Sequence, residues 1–358
     1  MWLYYVRRYK HVIWGVLLAI VLMLLVVIGV KTTSIKKAVI NEDVYSGKAM
    51  GTAIKKTIYS EKKKERDAVN TAIDDCLRTL EKQISVRISD SEIAKCNRSY
   101  VKNGTYRLPE NIVFYLQEEM KVAQETKGAF SPCVRPLSVL WGIEDGKNVV
   151  PDQQRIEEKV KYASYSKIAV SDDGIIFKLD NMAIDLGAAG KGIACDEVMK
   201  TIEESKVEGA VVSIGGSVAI FGSKGDGKPW HIGIRDPRGG EDDVMGVVDC
   251  ADHTFVSTSG DYEKYFEENF KRYHHIFDPR TGYPVDNELM SVTIIGDNGF
   301  MSDVLSTTCF VLGLKSGMEY AQKKGVEGIF ITKDKEVYIT KGIKKEFRIK
   351  DNQYILAN

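Results

Sequence analysis

Apolar and polar positions change their spacing several times along this chain, and each change predicts a different element. Val12 to Val30 is a run of nineteen residues without a charge, preceded by Arg7, Arg8 and Lys10, long enough to cross a bilayer as a helix. It ends Ile28-Gly29-Val30-Lys31, with no small-residue cleavage site, so it reads as an uncleaved single-pass anchor at 12–30 rather than a removed signal. A short basic tail, 1–11, would stay in the cytoplasm and leave the body extracytoplasmic at the plasma membrane. Lys31, Lys36 and Lys37 on the far side keep the charge rule from deciding this alone. Trp2, Tyr4, Tyr5, Tyr9 and Trp14 suit an interfacial aromatic belt.

Residues 31–45 are polar and read as a linker to a body spanning 46–350. Val69, Ile73, Cys76, Leu77, Leu80 and Ile84 then recur at helical spacing in a charged background, predicting an amphipathic helix. A second helix is expected from Pro109, with Val113, Leu116, Met120 and Ala123 inward, ending by Gly128. Beyond it, short β-rich runs at 210–214, 230–234, 291–295, 328–331 and 337–339 alternate with helical stretches at 152–163, 190–206 and 301–323. With no internal repeat, this order predicts one compact α+β body of mixed or antiparallel sheets and packed helices.

Composition agrees with a folded body: 44% of the 358 residues are hydrophobic and 28% charged. Lys+Arg and Asp+Glu are equal at 50 each, so no global basic field points to nucleic acid, and any anion must be held locally. The six cysteines form no Cys-x-x-Cys pair, which argues against a zinc knuckle or a disulfide framework and favours simple burial.

Several segments can carry chemistry. Ile184 to Gly192, Ile-Asp-Leu-Gly-Ala-Ala-Gly-Lys-Gly, reads as a strand passing through a small-residue turn into a helix, a geometry that lets backbone amides approach a phosphate, or else a plain tight connection. Asp303 and Thr307 are four apart on a predicted helix, with Ser306 beside them. Such oxygens suit Mg²⁺, or a helix cap and a solvated side chain. Gly215-Gly216 lies inside an apolar strand pattern and marks a bulge or a close ligand approach. Phe130-Ser131-Pro132 and Pro136 to Gly142 can form an aromatic-walled loop, with Trp141 equally suited to the core. His274 and His275 are two of only five histidines. His275 can pair with Asp261 or Asp278, or move a proton near neutral pH.

Taken in order, Met50-Gly51-Thr52, Asp185-Leu186-Gly187-Ala188 with Lys191-Gly192, Ile214-Gly215-Gly216, Thr258-Ser259-Gly260-Asp261-Tyr262, His275 to Gly282, and Asp303 with Thr307 resemble the ApbE family of FAD:protein FMN transferases over about 45–345. The resemblance implies an ApbE-like, T-fold-like body. It also implies an enzyme that takes FAD as substrate, cleaves its pyrophosphate with Mg²⁺, joins FMN to a Thr or Ser of an acceptor flavoprotein subunit, and releases AMP. It places the metal on the carbonyl of Ala188 and on Asp303, Ser306 and Thr307. Flavin nucleotide contacts fall at Met50, Ala129, Phe130, Ser131, Asp185, Lys191 and Ile276, with Gly215, Gly216, Thr258, Ser259 and Gly260 completing the set. His275, Asp303 and Thr307 are the implied catalytic residues, and either His275 or a metal-side carboxylate takes the hydroxyl proton. The chain departs from the family pattern where Ser131 replaces a usual Asp, Arg135 a Gly, Gly190 an Ala, and Ser217 an Asp or Asn. Two other readings remain: an FAD pyrophosphatase, in which water replaces the acceptor hydroxyl, and a non-catalytic flavin-binding module.

Overall fold

Alternating burial along nine strands builds one large sheet, and helices cover much of it. A computed structural model describes residues 40–99 and 104–358, together with Val12, Trp14, Leu18–Val21 and Met23. Met1–Val39 and Ile40–Asn358 are separate units, and the second carries everything described below. It runs β1 (Asn41–Ala49), β2 (Thr52–Ser60), α1 (Lys63–Ile84), α2 (Glu92–Arg98), α3 (Glu110–Glu125), α4 (Arg135–Trp141) and α5 (Gln153–Val160). Next come β3 (Ile168–Ser171), β4 (Gly174–Phe177), α6 (Gly190–Glu203), β5 (Gly209–Ile214), β6 (Ser217–Gly222), β7 (Trp230–Arg235) and β8 (Val244–Cys250). Then follow β9 (Thr254–Gly260), β10 (Tyr265–Glu268), β11 (Lys271–His274), β12 (Leu289–Gly296), α7 (Gly299–Leu312) and α8 (Leu314–Lys323). The chain closes with β13 (Glu327–Thr332), β14 (Glu336–Ile339), β15 (Phe347–Ile349) and β16 (Ile355–Leu356).

The large sheet has the order β1-β2-β5-β6-β9-β12-β13-β14-β16. Its neighbours are antiparallel except for the parallel pair β14–β16, so the α+β expectation holds. On one face α1, α3 and α6 pack Ile73, Leu77, Ile112, Leu116 and Ile193 against Ile58, Val212 and Ile214 of the strands. α7 and α8 cover β12 and β13 through Phe310, Val292, Ile294 and Phe330. The smaller sheet β15-β8-β7 closes on Ile220, Val256, Ile331 and Val337 through Met245, Val248 and Phe347. β12 is therefore buried on both faces, with each large aliphatic side chain contributing roughly 1.5–3 kcal/mol.

The predicted amphipathic helix is α1, with Val69, Ile73, Leu77, Leu80 and Ile84 buried. The helix expected over 301–323 is two helices, because Gly313 at φ +80° breaks it between α7 and α8. The linker expected over 31–45 is shorter: β1 begins at Asn41 and pairs fully with β2, which the polar run 41–45 concealed because nearly all of β1 faces solvent. The body also runs past 350, since Ile355 and Leu356 pair with Glu336 and Val337. Most of the anchor expected at 12–30 lies outside the described residues. Its described positions are helical and exposed, and among the described residues no helix is long and apolar enough to cross a membrane. All six cysteines are free, five of them buried.

Candidate functional site

α6 and α7 approach closely because glycines meet at their crossing. A Cβ on Gly192 would collide with the Gly299 carbonyl and come within 2.6 Å of the Asp303 Cβ. The helices also cap one another. Asp196 on α6 accepts from the amides of Gly299 and Phe300 at 2.7 and 2.8 Å, and Asp303 Oδ2 on α7 accepts from the Gly192 amide at 2.9 Å. Each carboxylate thus satisfies amides that the other helix leaves without intrahelical partners. Asn298, not Asp303, caps α7 itself, accepting from Met301 N at 2.8 Å.

Asp303 is fully buried, and its second oxygen faces the Lys191 ammonium at 3.4 Å and the Ser217 hydroxyl at 3.4 Å. Ser257 supports Ser217 by donating to it at 3.0 Å. One turn along α7, Ser306 donates to the Asp303 carbonyl at 2.8 Å. Ser259 of β9 lies 2.8 Å from the Ser306 hydroxyl and 3.0 Å from that of Thr307. Asp303, Ser306 and Thr307 are therefore brought together, and Ser259 joins them directly. Burial opposes the charge of Lys191, but the fields of Asp303 and Glu263 together raise the ammonium's pKa. Among the described residues no group of three His, Cys, Asp or Glu side chains is placed to hold a metal ion. The expected set is of another kind, one carboxylate with hydroxyls and the Ala188 carbonyl, hard oxygen donors of the class Mg²⁺ takes together with substrate phosphate.

The turn ahead of α6 carries Asp185 and Ala188, and the run 184–186 has no strand pairing, a correction to the expected strand. Its backbone partners come from elsewhere. Asn97 clamps Ile184 through both its amide oxygen and nitrogen at 2.8 Å, and the Asp185 amide donates to the Pro132 carbonyl at 2.8 Å. That last bond sets the Ala129–Phe130–Ser131 loop beside Asp185. Burial pushes the Asp185 carboxyl up, opposed by Arg135 at 3.7 Å and by the Gly187 amide. The Ser131 hydroxyl is committed locally, donating to Ala163 O at 2.6 Å and accepting from Cys133 N at 3.2 Å. Met50, at φ +54°, forms the β1–β2 tip with Gly51 and reaches Gly190. Ile276 packs with Ala129.

Gly215-Gly216 is neither a bulge nor a strand interior but the two-residue turn of the β5–β6 hairpin, where Ile214 pairs with Ser217. Gly215 has φ +56°, and a Cβ there would lie 2.7 Å from Thr52 Oγ1, so glycine answers both the turn and the close approach. Gly216 accepts from the Thr258 amide at 2.9 Å. The Thr258 hydroxyl instead bonds that of Thr293 on β12 at 2.8 Å, and Gly260 lies against the Met290 carbonyl.

The expected partners of His275 are corrected. Asp261 is engaged by Arg238 in a two-point bond at 2.7 Å, and Asp278 by Arg280. His275 Nδ1 is buried without a hydrogen-bond partner. Burial pushes the ring down to about 3, against the attraction of Glu144, so it is neutral across the physiological range. His274 is structural: its Nε2 donates to Val285 O at 2.8 Å and its Nδ1 accepts from Ile276 N at 3.2 Å. Trp141 is fully buried and donates to Gly282 O at 2.9 Å, so it is a core residue, and 136–141 is part of a helix rather than a loop.

Asn97 and Asp196 gave no sequence signal, since their roles depend on distant chain segments, and Ser217 stood out only as a departure from the family pattern. Glu119 on α3 gave no signal either, and it is completely buried with both carboxyl oxygens unpartnered. Desolvation pushes its pKa well up, and the fields of Asp185 and Asp303 push the same way, so it is a neutral acid beside the site.

The ApbE family model matches residues 50–330. An FAD:protein FMN transferase of Treponema pallidum is 30% identical over 335 residues, covering 86% of this chain and 89% of that protein. Another bearing that name, from Klebsiella pneumoniae, is 30% identical over 315 residues, covering 87% and 95%. The crystal structure of the ApbE protein from Thermotoga maritima superposes with a TM-score of 0.78 at 30% identity, covering 86% of this chain and all of that one. With the α6–α7 site, its flanking turns and these likenesses in agreement, the chain belongs to the ApbE family.

Proposed function

We propose that the protein transfers FMN from FAD to a Thr or Ser hydroxyl of an acceptor flavoprotein, releasing AMP. The observation that carries this reading is the cluster of buried Asp303, Ser306 and Ser259 with half-buried Thr307, beside Lys191 and the start of α6, in a chain related to named FMN transferases. In the step proposed, the acceptor oxygen forms a bond to the FMN phosphorus as the bond from that phosphorus to the bridging oxygen breaks. AMP leaves with the bridging oxygen, and the hydroxyl proton passes to a base.

Mg²⁺ held by the Ala188 carbonyl, Asp303, Ser306 and Thr307 would neutralise pyrophosphate charge and hold the reacting groups in line. Lys191 and the turn amides add positive field where charge builds. Met50, Ala129, Phe130 and Ile276 supply apolar walls that exclude water, and Asp185 offers a polar contact for the flavin. The neutral His275 has an imidazole able to take the hydroxyl proton, and its poor basicity at rest restricts that transfer to the reacting complex.

Placement belongs to the same proposal: the uncharged run at 12–30 anchors the enzyme in the plasma membrane with its body extracytoplasmic. What supports it is the length of that run and the basic tail before it. Incubating the full-length protein with FAD, Mg²⁺ and a threonine-bearing acceptor should yield one AMP for each flavin-labelled acceptor by intact mass. AMP formed at the same rate without acceptor, with free FMN and no labelled protein, would replace transfer by hydrolysis.

A further inference from the structure

Outside the α6–α7 site, a cavity of about 550 Å³ opens between the last turn of α4, the loop that follows it and α5, a volume within the range of ligand pockets. Its walls are apolar, with Val139 and Leu140 from α4 and Val149 and Pro151 from the loop. Val139 and Val149 are left 46% and 62% exposed, so the body does not bury the apolar surface it assembles there. Charge at this cavity is one-sided. Three cations line it, Lys147, Arg155 and Lys159, and no carboxylate does. Glu158 matches Lys159 at 3.3 Å. The remaining acids nearby are engaged elsewhere, for Asp152 caps α5 by accepting from the Arg155 amide at 2.9 Å and Glu157 accepts from the Gln153 amide group at 2.7 Å. Lys147 and Arg155 make no ion pair among the described residues. Over 147–161 the chain carries Lys147, Arg155, Lys159 and Lys161 against Asp152, Glu157 and Glu158, so a positive surplus persists when these neighbours are counted. The Lys147 stem lies against the end of α4, 2.5 Å from where a Cβ on Gly142 would sit, which keeps its ammonium at the cavity.

The cavity adjoins the proposed flavin site through α4. Arg135, the first residue of that helix, stands 3.7 Å from Asp185, and Val139 follows one turn, about 6 Å, further along the axis. Trp141 at the end of α4 donates to the Gly282 carbonyl at 2.9 Å, and Gly282 packs on Ile156 and Val160 of α5. Both helices that wall the cavity therefore back onto the His275–Gly282 segment. A stable interface covers about 800 Å² on each partner, so a protein that delivers a hydroxyl beside Asp185 has this cavity within its footprint.

We infer that this cavity is a docking pocket for the acceptor protein and takes a bulky apolar side chain flanked by carboxylates, the side chain seated between Val139 and Val149 and the carboxylates on Lys147 and Arg155. The inference rests on the acceptor reading given above. An apolar anchor in a pocket carries much of the affinity of such a contact, while the charges at its rim set association rate and salt dependence.

Three fluorescently labelled peptides test it by anisotropy on the full-length protein: one with a leucine flanked by aspartates, one with asparagines in place of the aspartates, and one with alanine in place of the leucine. The wild type should bind the first on the order of tenfold more tightly than either control at low salt, and added salt should narrow only the gap to the asparagine peptide. Lys147→Glu and Arg155→Glu should erase the preference for aspartate, and Val149→Ser the preference for leucine. All three side chains are exposed, so each variant should keep the wild-type melting temperature and KM for FAD. Equal binding of the three peptides by the wild type, binding of none, or preferences that survive the substitutions would overturn the pocket. So would a wild-type dimer that Val149→Ser dissociates, which would give the surface to a second copy of the chain. The expected preferences in a protein that never transfers flavin would support the pocket while contradicting the transfer reaction.

Discussion

Glu119 carries a carboxyl with no partner in the core, and this has consequences for stability. Its folded pKa lies well above the ordinary 4.5, so between 4.5 and the raised value the folded state holds a proton that the unfolded state has lost. Stability is therefore full below 4.5 and falls as pH rises through that window, by about 1.4 kcal/mol per pH unit. Glu119→Met removes the titration, and its melting temperature should exceed that of the wild type by a margin that widens from pH 5 to pH 8. A constant margin would show Glu119 ionised and paired. His275 shifts the other way: with burial holding it near 3, its ring signals in an NMR titration of the free enzyme should not move between pH 5 and 8. A midpoint near 6.5 would contradict the burial that keeps it neutral. At this scale the clustering of Asp303, Ser306 and Thr307 was legible in the sequence, because spacing of three and four on a helix is local information. It misjudged the partners of His275, because Asp261 and Asp278 are claimed by Arg238 and Arg280, and that competition is settled only by folding.

The α6–α7 pair is the element on which the site depends. Its crossing needs glycine at 192, where an added methyl would meet the Gly299 carbonyl, a backbone atom that cannot swing aside. Gly192→Ala should destabilise the protein by about 1–3 kcal/mol, as overpacking does, and should lower transfer more than melting alone explains, since Asp303 moves with the crossing. A melting temperature within one degree of the wild type would show that the crossing tolerates the methyl. Asp196→Ala, which removes two amide acceptors at the start of α7, should cost about 0.5–2 kcal/mol. Both helices were readable from apolar periodicity. Their mutual capping was not, because Asp196 and Asp303 resemble ordinary surface acids until the helices meet. The turn at 215–216 misled for a related reason. Two short apolar strands joined by two glycines look like one interrupted strand, and the hairpin shows only once Ile214 pairs with Ser217.

Across the whole molecule, a nine-stranded sheet with helices on one side and a smaller sheet on the other holds segments from residue 50 to residue 307 in one body. The α+β class followed from the alternation of strand and helix patterns. Strand order did not, because the pairings β2–β5, β6–β9 and β9–β12 join segments separated by whole helices. The ordered motifs compensated, since a family resemblance carries long-range information that periodicity lacks. If the run at 12–30 anchors the protein, the full chain should stay with membranes after alkaline extraction, whereas removal of residues 1–39 should release it; recovery of the full chain in the soluble fraction would contradict the anchor.

The central claim is that Asp303 serves the transfer chemistry and does not merely cap α6. Asp303→Asn separates the two roles, because an amide oxygen can still accept from the Gly192 amide while the charge is gone. The decisive measurement is the rate of FMN transfer to acceptor by this variant across a Mg²⁺ titration, alongside its melting temperature. The account predicts a fold retained to within a few degrees and transfer reduced by a hundredfold or more, on the order expected when a group stabilising developing charge is lost. Transfer at the wild-type rate with the same Mg²⁺ dependence would contradict it.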